Sequence, residues 1–307
     1  MHQRGYGRDT ELNIRMALTS FFLLLIYVAF AGLLFWAGIS PIFILIMGAI
    51  LAAFQYFGSD KLVLLTTGAR IVGPDEEPKL HGMVERLSAM ADMPRPKKLA
   101  IIDTHVPNAF ATGRNPKNSI VTVTTGLMSR LDEKEQEAVL AHELSHIKNR
   151  DVMIITWAGL IVIVSGYLLQ VLFWISLFGG FGGGGRREGG SNSMLIALAL
   201  YVGTIIIYFM SQLLILSLSR YREYAADRSG AMLTGAPLQL ASALNKISDD
   251  MYRIPEKDLR QVEHANAFFI INAIKGNASA KLLSSHPPVE KRVERLREMH
   301  RQMEAGF

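Results

Sequence analysis

Two histidines four residues apart could bind one metal ion together. His142 and His146 stand in the sequence His-Glu-Leu-Ser-His. Four residues of an α-helix advance about 400°, so the imidazoles would lie about 40° apart and one turn from each other, as a tetrahedral zinc ion requires. Glu143 would be offset by about 100° and could act as a general base on a zinc-bound water without being a ligand. With 8 histidines in the chain, this pattern arises by chance about once in a hundred sequences.

A catalytic zinc site also needs a third protein ligand and keeps one position open for water. The sequence Ser-Arg-Tyr-Arg-Glu-Tyr-Ala-Ala-Asp at residues 219–227 offers Glu223, with Asp227 one helical turn later. We predict that Glu223 is the third ligand and that Asp227 accepts a hydrogen bond from the second ring N–H of a ligand histidine. A Glu and an Asp at this spacing are usually a solvated helix face, so this prediction depends on the elements that position them.

Three long stretches contain no Asp, Glu, Lys or Arg, namely residues 16–57, 152–178 and 194–219. They explain why charged residues make up only 19% of the 307-residue chain, against about 25% in ordinary globular domains. A helix that crosses the hydrocarbon needs about 20 apolar residues. The composition therefore excludes both a purely soluble enzyme and a pure membrane channel, and it predicts a chain that lies partly in lipid.

The first stretch is long enough for two crossings with a turn at Ser40-Pro41, so we predict a transmembrane hairpin over residues 16–57. Residues 152–178 and 194–218 are predicted to be one transmembrane helix each. The first stretch is too long for the apolar core of a secretory signal, which has about 7–15 residues. Four spans place both termini on the same side. Since the last two spans are expected to be neighbours, they would bring the histidines and Glu223 together.

Lysines and arginines are distributed unequally beside the predicted spans, and the side that carries more of them is expected to be the cytoplasm. This bias assigns residues 1–15, 58–151 and 219–307 to the cytoplasm and makes the glycine-rich segment 179–193 a periplasmic loop. The cytoplasmic side carries Arg4, Arg8, Arg15, Lys61, Arg70, Lys148, Arg150, Arg220, Arg222 and Arg228, whereas the other side carries only Arg186 and Arg187. The basic pI of about 9.4 follows from this topology, so no nucleic-acid partner is predicted.

The two polar segments are predicted to fold into a mainly helical domain with a small β-sheet. Pro78 and the apolar spacing after it indicate a helix, and the pair Asp132 and Glu135 is a capping-box signal for a helix through Asn149. Short β-rich runs lie between these helices. The predicted strands are Lys98–Ile102, Asn108–Thr112 and Ser119–Thr124, and the remaining helices are Thr125–Leu131, Leu218–Thr234, Ala236–Met251 and Pro288–Met303.

The two motifs together resemble a known family. His-Glu-x-x-His followed far downstream by Ser-Arg-x-x-Glu-Tyr-x-Ala-Asp resembles the HtpX family of bacterial membrane zinc endopeptidases of the heat-shock response. It is also similar to the CAAX prenyl endopeptidases of the same superfamily. The resemblance covers almost the whole chain. It implies an α+β membrane protein with four transmembrane helices and a zincin-like cytoplasmic peptidase domain that holds one Zn²⁺ per chain.

The resemblance also implies roles for two further segments. Residues 108–113, Asn-Ala-Phe-Ala-Thr-Gly, match the family's segment before the active-site helix and would form an edge strand that pairs with the substrate backbone through Asn108, Ala109, Phe110 and Ala111. His286 would be catalytic, near the zinc-bound water, where it would stabilise the oxyanion or relay a proton. Arg292 would contact substrate or orient the site.

The expected function is hydrolysis of peptide bonds in misfolded or damaged membrane proteins at the cytoplasmic face of a bacterial inner membrane, as part of protein quality control and the stress response. The partners would be unfolded or membrane protein substrates and the lipid bilayer. Three alternatives stay open: an intramembrane site-2-type protease, a CAAX-type prenyl-protein endopeptidase, and a non-catalytic zinc-stabilised membrane scaffold. Glu143 argues against the scaffold because an inactive relative would typically lose the catalytic base.

Overall fold

The computed structural model describes residues 9–113, 115–179, 191–253 and 284–306. Residues 1–8 of the predicted cytoplasmic N-terminus, 180–190 of the predicted glycine-rich loop and 254–283 lie outside the described residues. In chain order the elements are α1 (Thr10–Trp36), α2 (Pro41–Thr67), β1 (Arg70–Val72), α3 (Pro78–Met90), β2 (Lys98–Ile102), β3 (Ala109–Gly113), β4 (Ser119–Thr124), α4 (Thr125–Arg130), α5 (Glu133–Lys148), α6 (Asp151–Gly179), α7 (Ser191–Thr234), α8 (Pro237–Arg253) and α9 (Val289–Glu304).

The chain divides into two compact units, each described by itself. The helical unit comprises Asn13–Tyr56 and Ile155–Leu218. The α+β unit comprises Met1–Leu12, Phe57–Ile154 and Ser219–Phe307. The predicted fold class is confirmed in its coarser form, because the described chain is mostly helical and contains one small sheet.

Within the described residues, three helices of the helical unit are long and apolar enough to cross a membrane: α1, α6 from Asp151 to Leu177, and α7 from Leu195. Many of their large apolar side chains are exposed, as lipid-facing side chains are expected to be. Tyr27 links two of these helices, because its hydroxyl donates to the carbonyl of Trp157 at 2.6 Å and accepts from the amide of Ile161 at 3.1 Å. Three of the four predicted spans are therefore helices of the required length and composition.

The predicted hairpin turn is present between α1 and α2. Helix α1 ends at Trp36, Gly38 adopts a φ of 85°, and Pro41 is the first residue of α2. Proline suits this position because the first amide of a helix has no partner within the helix. Helix α2 continues to Thr67, ten residues beyond the predicted end at Phe57. Its role as the fourth span stays a prediction.

Helix α7 is uninterrupted over 44 residues. At 1.5 Å per residue it is about 66 Å long, roughly twice the thickness of the hydrocarbon layer. The predicted helix over Leu218–Thr234 is therefore the direct continuation of the last apolar stretch. This continuity carries the segment with Glu223 into the α+β unit, to which residues from Ser219 onward belong.

The α+β unit contains a four-stranded sheet in the order β1-β2-β4-β3. Strands β2 and β4 are parallel, and the two outer strands are antiparallel to their neighbours. The predicted strands match β2, β3 and β4 within one residue, whereas β1 was not predicted because three residues provide too little pattern. The described sheet leaves β3 at one edge, as the family resemblance implies for this strand; its pairing with substrate stays a prediction.

Helix α5 is the central element of the α+β unit. It packs between α3, β3 and α8, and its Val139, Leu140 and Leu144 are buried in a core shared with Leu87 of α3 and Leu244 of α8. Ten residues of α5 are buried, far more than one face of a surface helix. The helix that carries the histidines is therefore held on several sides by apolar packing.

The predicted capping box begins α5 and also attaches α8. The Asp132 carboxylate accepts from the Glu135 amide at 2.9 Å, and the Glu135 carboxylate accepts from the Asp132 amide at 3.0 Å. Glu135 is only 3% exposed. It also accepts from the hydroxyl of Ser242 and from the ammonium of Lys246, each at 2.7 Å. One buried carboxylate thus fixes the start of α5 to α8.

Glu135→Ala should lower the free energy of unfolding of the full-length protein in detergent by about 1–3 kcal/mol, because the cap and the partly buried hydrogen bond from Ser242 are lost together. Glu133→Ala is the matched control, since Glu133 is an exposed carboxylate in the same first turn. Thermal unfolding followed by circular dichroism measures both. Equal losses in the two variants would contradict the role assigned to Glu135.

Candidate metal centre

Helix α5 places both predicted histidine ligands inside the α+β unit. The Nε2 atoms of His142 and His146 lie 3.2 Å apart, and their ring centroids lie 4.7 Å apart. His142 is 1% exposed, and the side chain of His146 is 15% exposed. Both Nε2 atoms therefore face a common position, which is the arrangement expected from two histidines one helical turn apart.

Helix α7 brings a carboxylate to the same position. Glu223 Oε2 lies 3.6 Å from His142 Nε2, and Glu223 Oε1 lies 3.4 Å from His146 Nε2. One possible ligand atom from each of the three residues lies within 4.8 Å of the other two. Glu223 is 6% exposed, so the cluster is largely shielded from solvent. The structure thus brings together the three residues predicted to be metal ligands.

Gly230 allows α7 to come close to α5. Glu223, Asp227 and Gly230 follow one another at i, i+4 and i+7, so they share one face of the helix. A Cβ atom on Gly230 would lie 2.8 Å from the backbone nitrogen of His142, too close for a real contact, and 3.0 Å from its Cα, which is tighter than most real contacts. The sequence analysis did not single out Gly230, because a helical glycine acquires this meaning only when the neighbouring helix is known.

The second nitrogen of each histidine faces a buried carboxylate. His142 Nδ1 lies 3.0 Å from Asp227 Oδ1. Asp227 is the residue predicted to face the second nitrogen of a ligand histidine. His146 Nδ1 makes a 2.7 Å hydrogen bond with Asp151 Oδ2, which the sequence analysis missed. The available signal was that Asp151 is the last charged residue before the second charge-free stretch, residues 152–178. Such carboxylates fix ring orientation and tautomer in metal-binding histidines.

Arg292 lies behind the cluster and binds two of its carboxylates. Its Nε and one terminal nitrogen contact the two oxygens of Asp227 at 2.8 and 2.7 Å, and its other terminal nitrogen lies 3.2 Å from Glu223 Oε2. Burial alone would raise the pKa of Asp227, but the guanidinium lowers it below its ordinary value. Arg292 is 1% exposed. Of the two roles expected of Arg292, this burial favours orientation of the site over contact with substrate.

His286 reaches the cluster from the segment before α9. Its Nδ1 lies 3.1 Å from Glu223 Oε2. Ser284 fixes the local backbone, because its hydroxyl donates to the His286 carbonyl at 2.8 Å and accepts from the His286 amide at 3.2 Å. Burial acts to raise the pKa of the Glu223 carboxyl, yet His286 and Arg292 hold that pKa well below its ordinary value. These two neighbours therefore favour the ionised form of the Glu223 carboxylate.

Glu143 connects the cluster to the edge strand. Its carboxylate accepts a hydrogen bond from the backbone amide of Ala111 in β3, and the residue is 4% exposed. Burial raises the pKa of Glu143, and this effect outweighs the opposing influence of His142 and His146. A raised pKa suits a group that must take up and release a proton near neutral pH.

The other predicted substrate-binding residues lie in and just before β3. The amide of Asn108 donates to the hydroxyl of Thr124 at 2.9 Å, and its carbonyl accepts from the Thr124 amide at 3.0 Å. Asn108, Ala109 and Phe110 are buried, whereas Ala111 is partly exposed. The side chains of Asn108, Ala109 and Phe110 are therefore part of the fold.

The charges around the cluster fit a divalent cation. The four carboxylates are Glu143, Asp151, Glu223 and Asp227, and the two guanidinium groups beside them are Arg222 and Arg292. If all six groups are ionised and the histidines are neutral, two negative charges are left in excess. Glu223 Oε2 and His286 Nδ1 are also buried, and among the described atoms neither makes a hydrogen bond of good geometry. Two imidazoles and a carboxylate are a donor set that zinc prefers.

The fold and the cluster define a class of protein: a membrane metallopeptidase whose His-Glu-x-x-His helix lies in an α+β unit with a small sheet. The comparisons with known proteins agree, since the model of Peptidase family M48 matches residues 74–300. The chain belongs to peptidase family M48, and it is a membrane-bound metalloprotease.

Two of its relatives align with nearly the whole chain. The protease HtpX homolog of Moorella thermoacetica is 49% identical over 302 residues, which cover 98% of this chain and 99% of the relative. The protease HtpX homolog 2 of Methanosarcina mazei is 50% identical over 301 residues, with coverage of 98% and 99%. The predicted resemblance is therefore confirmed. The crystal structure of S. mikatae Ste24p is similar in fold, with a TM-score of 0.50 and 18% identity over 94% of this chain and 67% of that chain.

Gly230→Ala should lower the affinity of the full-length protein for a divalent metal ion at least about tenfold, because the added methyl group pushes the face with Glu223 and Asp227 away from His142. Gly82→Ala adds the same methyl group to helix α3, where a Cβ atom would meet nothing within 4 Å. Competition with a chromophoric chelator measures both affinities. Wild-type affinity in Gly230→Ala would show that this close approach does not set the geometry of the cluster.

Proposed function

We propose that His142, His146 and Glu223 hold one zinc ion per chain and that the protein uses it to hydrolyse peptide bonds. The observation that carries this proposal is the convergence of three ligand atoms from two helices beside a buried glutamate that is not one of them. When bound, zinc would supply a Lewis acid that acidifies water and polarises the scissile carbonyl.

Glu143 is the proposed general base. Its carboxylate is held by the Ala111 amide and lies in the turn between the two histidines, so it is fixed without being part of the ligand set. It would take a proton from the attacking water and pass it to the nitrogen of the leaving amine. The raised pKa of Glu143 favours the first transfer, because a more basic carboxylate takes the proton from water more readily and holds it until the amine departs.

His286 and Arg292 are proposed to act on either side of Glu223. His286 is 12% exposed at its side chain, so it can reach a bound substrate and stabilise negative charge that develops on the carbonyl oxygen. Arg292 is buried, so it would act through Asp227 and Glu223 by fixing their orientation and keeping them ionised. Asp227 in turn would hold the His142 ring.

Strand β3 is the proposed binding site for substrate backbone. The Asn108 amide donates a hydrogen bond to the Thr124 hydroxyl, and the Asn108 carbonyl accepts one from the Thr124 amide. The backbone N–H and C=O groups of residues 108, 110 and 112 therefore face β4 in this antiparallel pair. The backbone groups of residues 109, 111 and 113 then point away from β4. Among them, the Ala111 amide points toward the Glu143 carboxylate. A substrate paired along this edge would lie next to the base, and main-chain pairing would allow many sequences.

Glu143→Gln should reduce digestion of unfolded casein by about 100- to 10,000-fold at unchanged zinc content, because the amide keeps the size of the side chain but cannot accept the proton. Glu133→Gln, an exposed glutamate on the same helix, should digest casein like the wild type. Removing metal with a chelator should abolish digestion by the wild type, and zinc should restore it. Wild-type activity in zinc-loaded Glu143→Gln would contradict the assigned base.

The proposed substrates are misfolded or damaged membrane proteins, cleaved on the cytoplasmic side of a bacterial inner membrane in quality control and the stress response. Support comes from the apolar helices, from the excess of Lys and Arg beside residues 58–151 and 219–307, and from relatives named as HtpX proteases. The same charge bias supports cytoplasmic residues 1–15 and a periplasmic loop over residues 179–193.

Two alternatives are less well supported. A site-2-type intramembrane protease would carry its metal ligands within the apolar helices, whereas His142, His146 and Glu223 belong to the α+β unit. A CAAX-type prenyl-protein endopeptidase has a fold relative in Ste24p, but likeness at 18% identity concerns the fold alone. Cleavage of a farnesylated peptide in preference to unfolded casein would favour that alternative.

The topology predicts the outcome of reporter fusions. An alkaline phosphatase domain, active only outside the cytoplasm, should be active when fused after Ser40 or after Arg186 and inactive when fused after Thr67 or at the C-terminus. Four spans require this alternation, because each crossing reverses the side of the membrane. An inactive fusion after Arg186 would reverse the proposed orientation. Equal activity after Ser40 and Thr67 would show that α2 does not cross.

A further inference from the structure

The junction between α5 and α6 holds a side chain against one proposed zinc ligand. Helix α5 ends at Lys148, Arg150 adopts a φ of 56°, and Asp151 begins α6. In a continuous helix, a residue five positions after His146 would lie about 140° around the axis and could not reach its ring. The left-handed residue Arg150 breaks the helix and turns Asp151 back toward His146.

The resulting contact is short and buried. Asp151 Oδ2 and His146 Nδ1 are 2.7 Å apart, compared with 3.0 Å between Asp227 Oδ1 and His142 Nδ1 on the other side of the cluster. Asp151 is 5% exposed. A positive φ at a residue other than glycine is an uncommon conformation, and it is found where the surrounding structure enforces it. The strained backbone at Arg150 and the contact of Asp151 therefore occur together.

Arg222 closes the junction from helix α7. Its guanidinium forms an ion pair with the second oxygen of Asp151 and donates a 3.1 Å hydrogen bond to the carbonyl of Asn149. The side chain is 14% exposed. One guanidinium thus binds both the residue that follows α5 and the first residue of α6. Arg222 directly precedes Glu223 in the chain, so one turn of α7 carries both a proposed metal ligand and the arginine that binds the α5–α6 junction.

We propose that Asp151 and Arg222 are positioning residues that fix the ring of His146 for metal binding. Asp151 accepts the Nδ1 proton, which leaves Nε2 as the lone-pair donor that faces Glu223 and His142. Arg222 acts through Asp151 by holding its carboxylate in place. The arrangement repeats the one on His142, where Asp227 faces Nδ1 and Arg292 binds Asp227. This inference rests on the proposed zinc site.

Asp151→Asn in the full-length protein should weaken zinc binding by about 10- to 100-fold, the usual cost of losing such a partner of a metal-binding histidine. The visible absorption of the Co²⁺-loaded protein should also change, because the orientation of one imidazole changes. Arg222→Gln should have a smaller effect in the same direction. The double variant should bind zinc no more weakly than Asp151→Asn, because Arg222 acts through Asp151. Chelator competition and Co²⁺ spectra measure all three.

Two controls separate the possible outcomes. Asp249→Asn removes an exposed carboxylate on α8 and should leave zinc affinity and the Co²⁺ spectrum unchanged. His146→Ala should lose high-affinity zinc, and if it does not, the zinc site itself is wrong. If His146→Ala loses zinc while Asp151→Asn keeps wild-type affinity and spectrum, the positioning role is overturned alone. Lower affinity with an unchanged Co²⁺ spectrum in Asp151→Asn would also overturn it, since a general loss of stability would give that result.

Discussion

Burial of charge is the constraint on which the candidate site depends. Glu143, Asp151, Glu223 and Asp227 are each at most 6% exposed, and ionised groups so far from water are costly unless they are paired. Two arginines provide part of the compensation, and a divalent cation would provide the remainder. Burial acts to lower the pKa of His142 and His146, yet the facing carboxylates raise both pKa values above the ordinary one. The same excess of negative charge that attracts protons to these rings would attract a metal ion.

The fold meets this constraint by bringing two other helices, α7 and α9, to helix α5. Helix α5 is fixed by apolar packing and by its buried cap, so the histidines have defined positions. The small residue Gly230 lets α7 approach until its carboxylates reach them. Helix α9 then places Arg292 behind those carboxylates, where Arg295 of the same helix stacks on Tyr224 of α7 at 4.6 Å. Each charged group is therefore held by a helix that is itself held by packing.

Local features were predictable from the sequence, whereas contacts between distant segments were predictable only in part. The His-Glu-x-x-His spacing and the capping box describe a single helix, and single helices follow from local pattern. The position of Glu223 beside the histidines was predictable because a zinc site would need a third ligand near the same boundary between polar and apolar sequence. Gly230, Asp151 and Arg222 escaped prediction, because their meaning depends on the distance between two helices and on one left-handed residue. Strand β1 was too short to produce a pattern.

The most direct test of the zinc centre is zinc-edge X-ray absorption of the dialysed full-length protein, compared with Glu223→Ala. The account predicts about one zinc ion per chain in the wild type, bound by two imidazoles and by oxygen ligands, and loss of that spectrum in the variant. An unchanged zinc spectrum in Glu223→Ala, or proteolysis by a wild-type protein that contains no zinc, would contradict it.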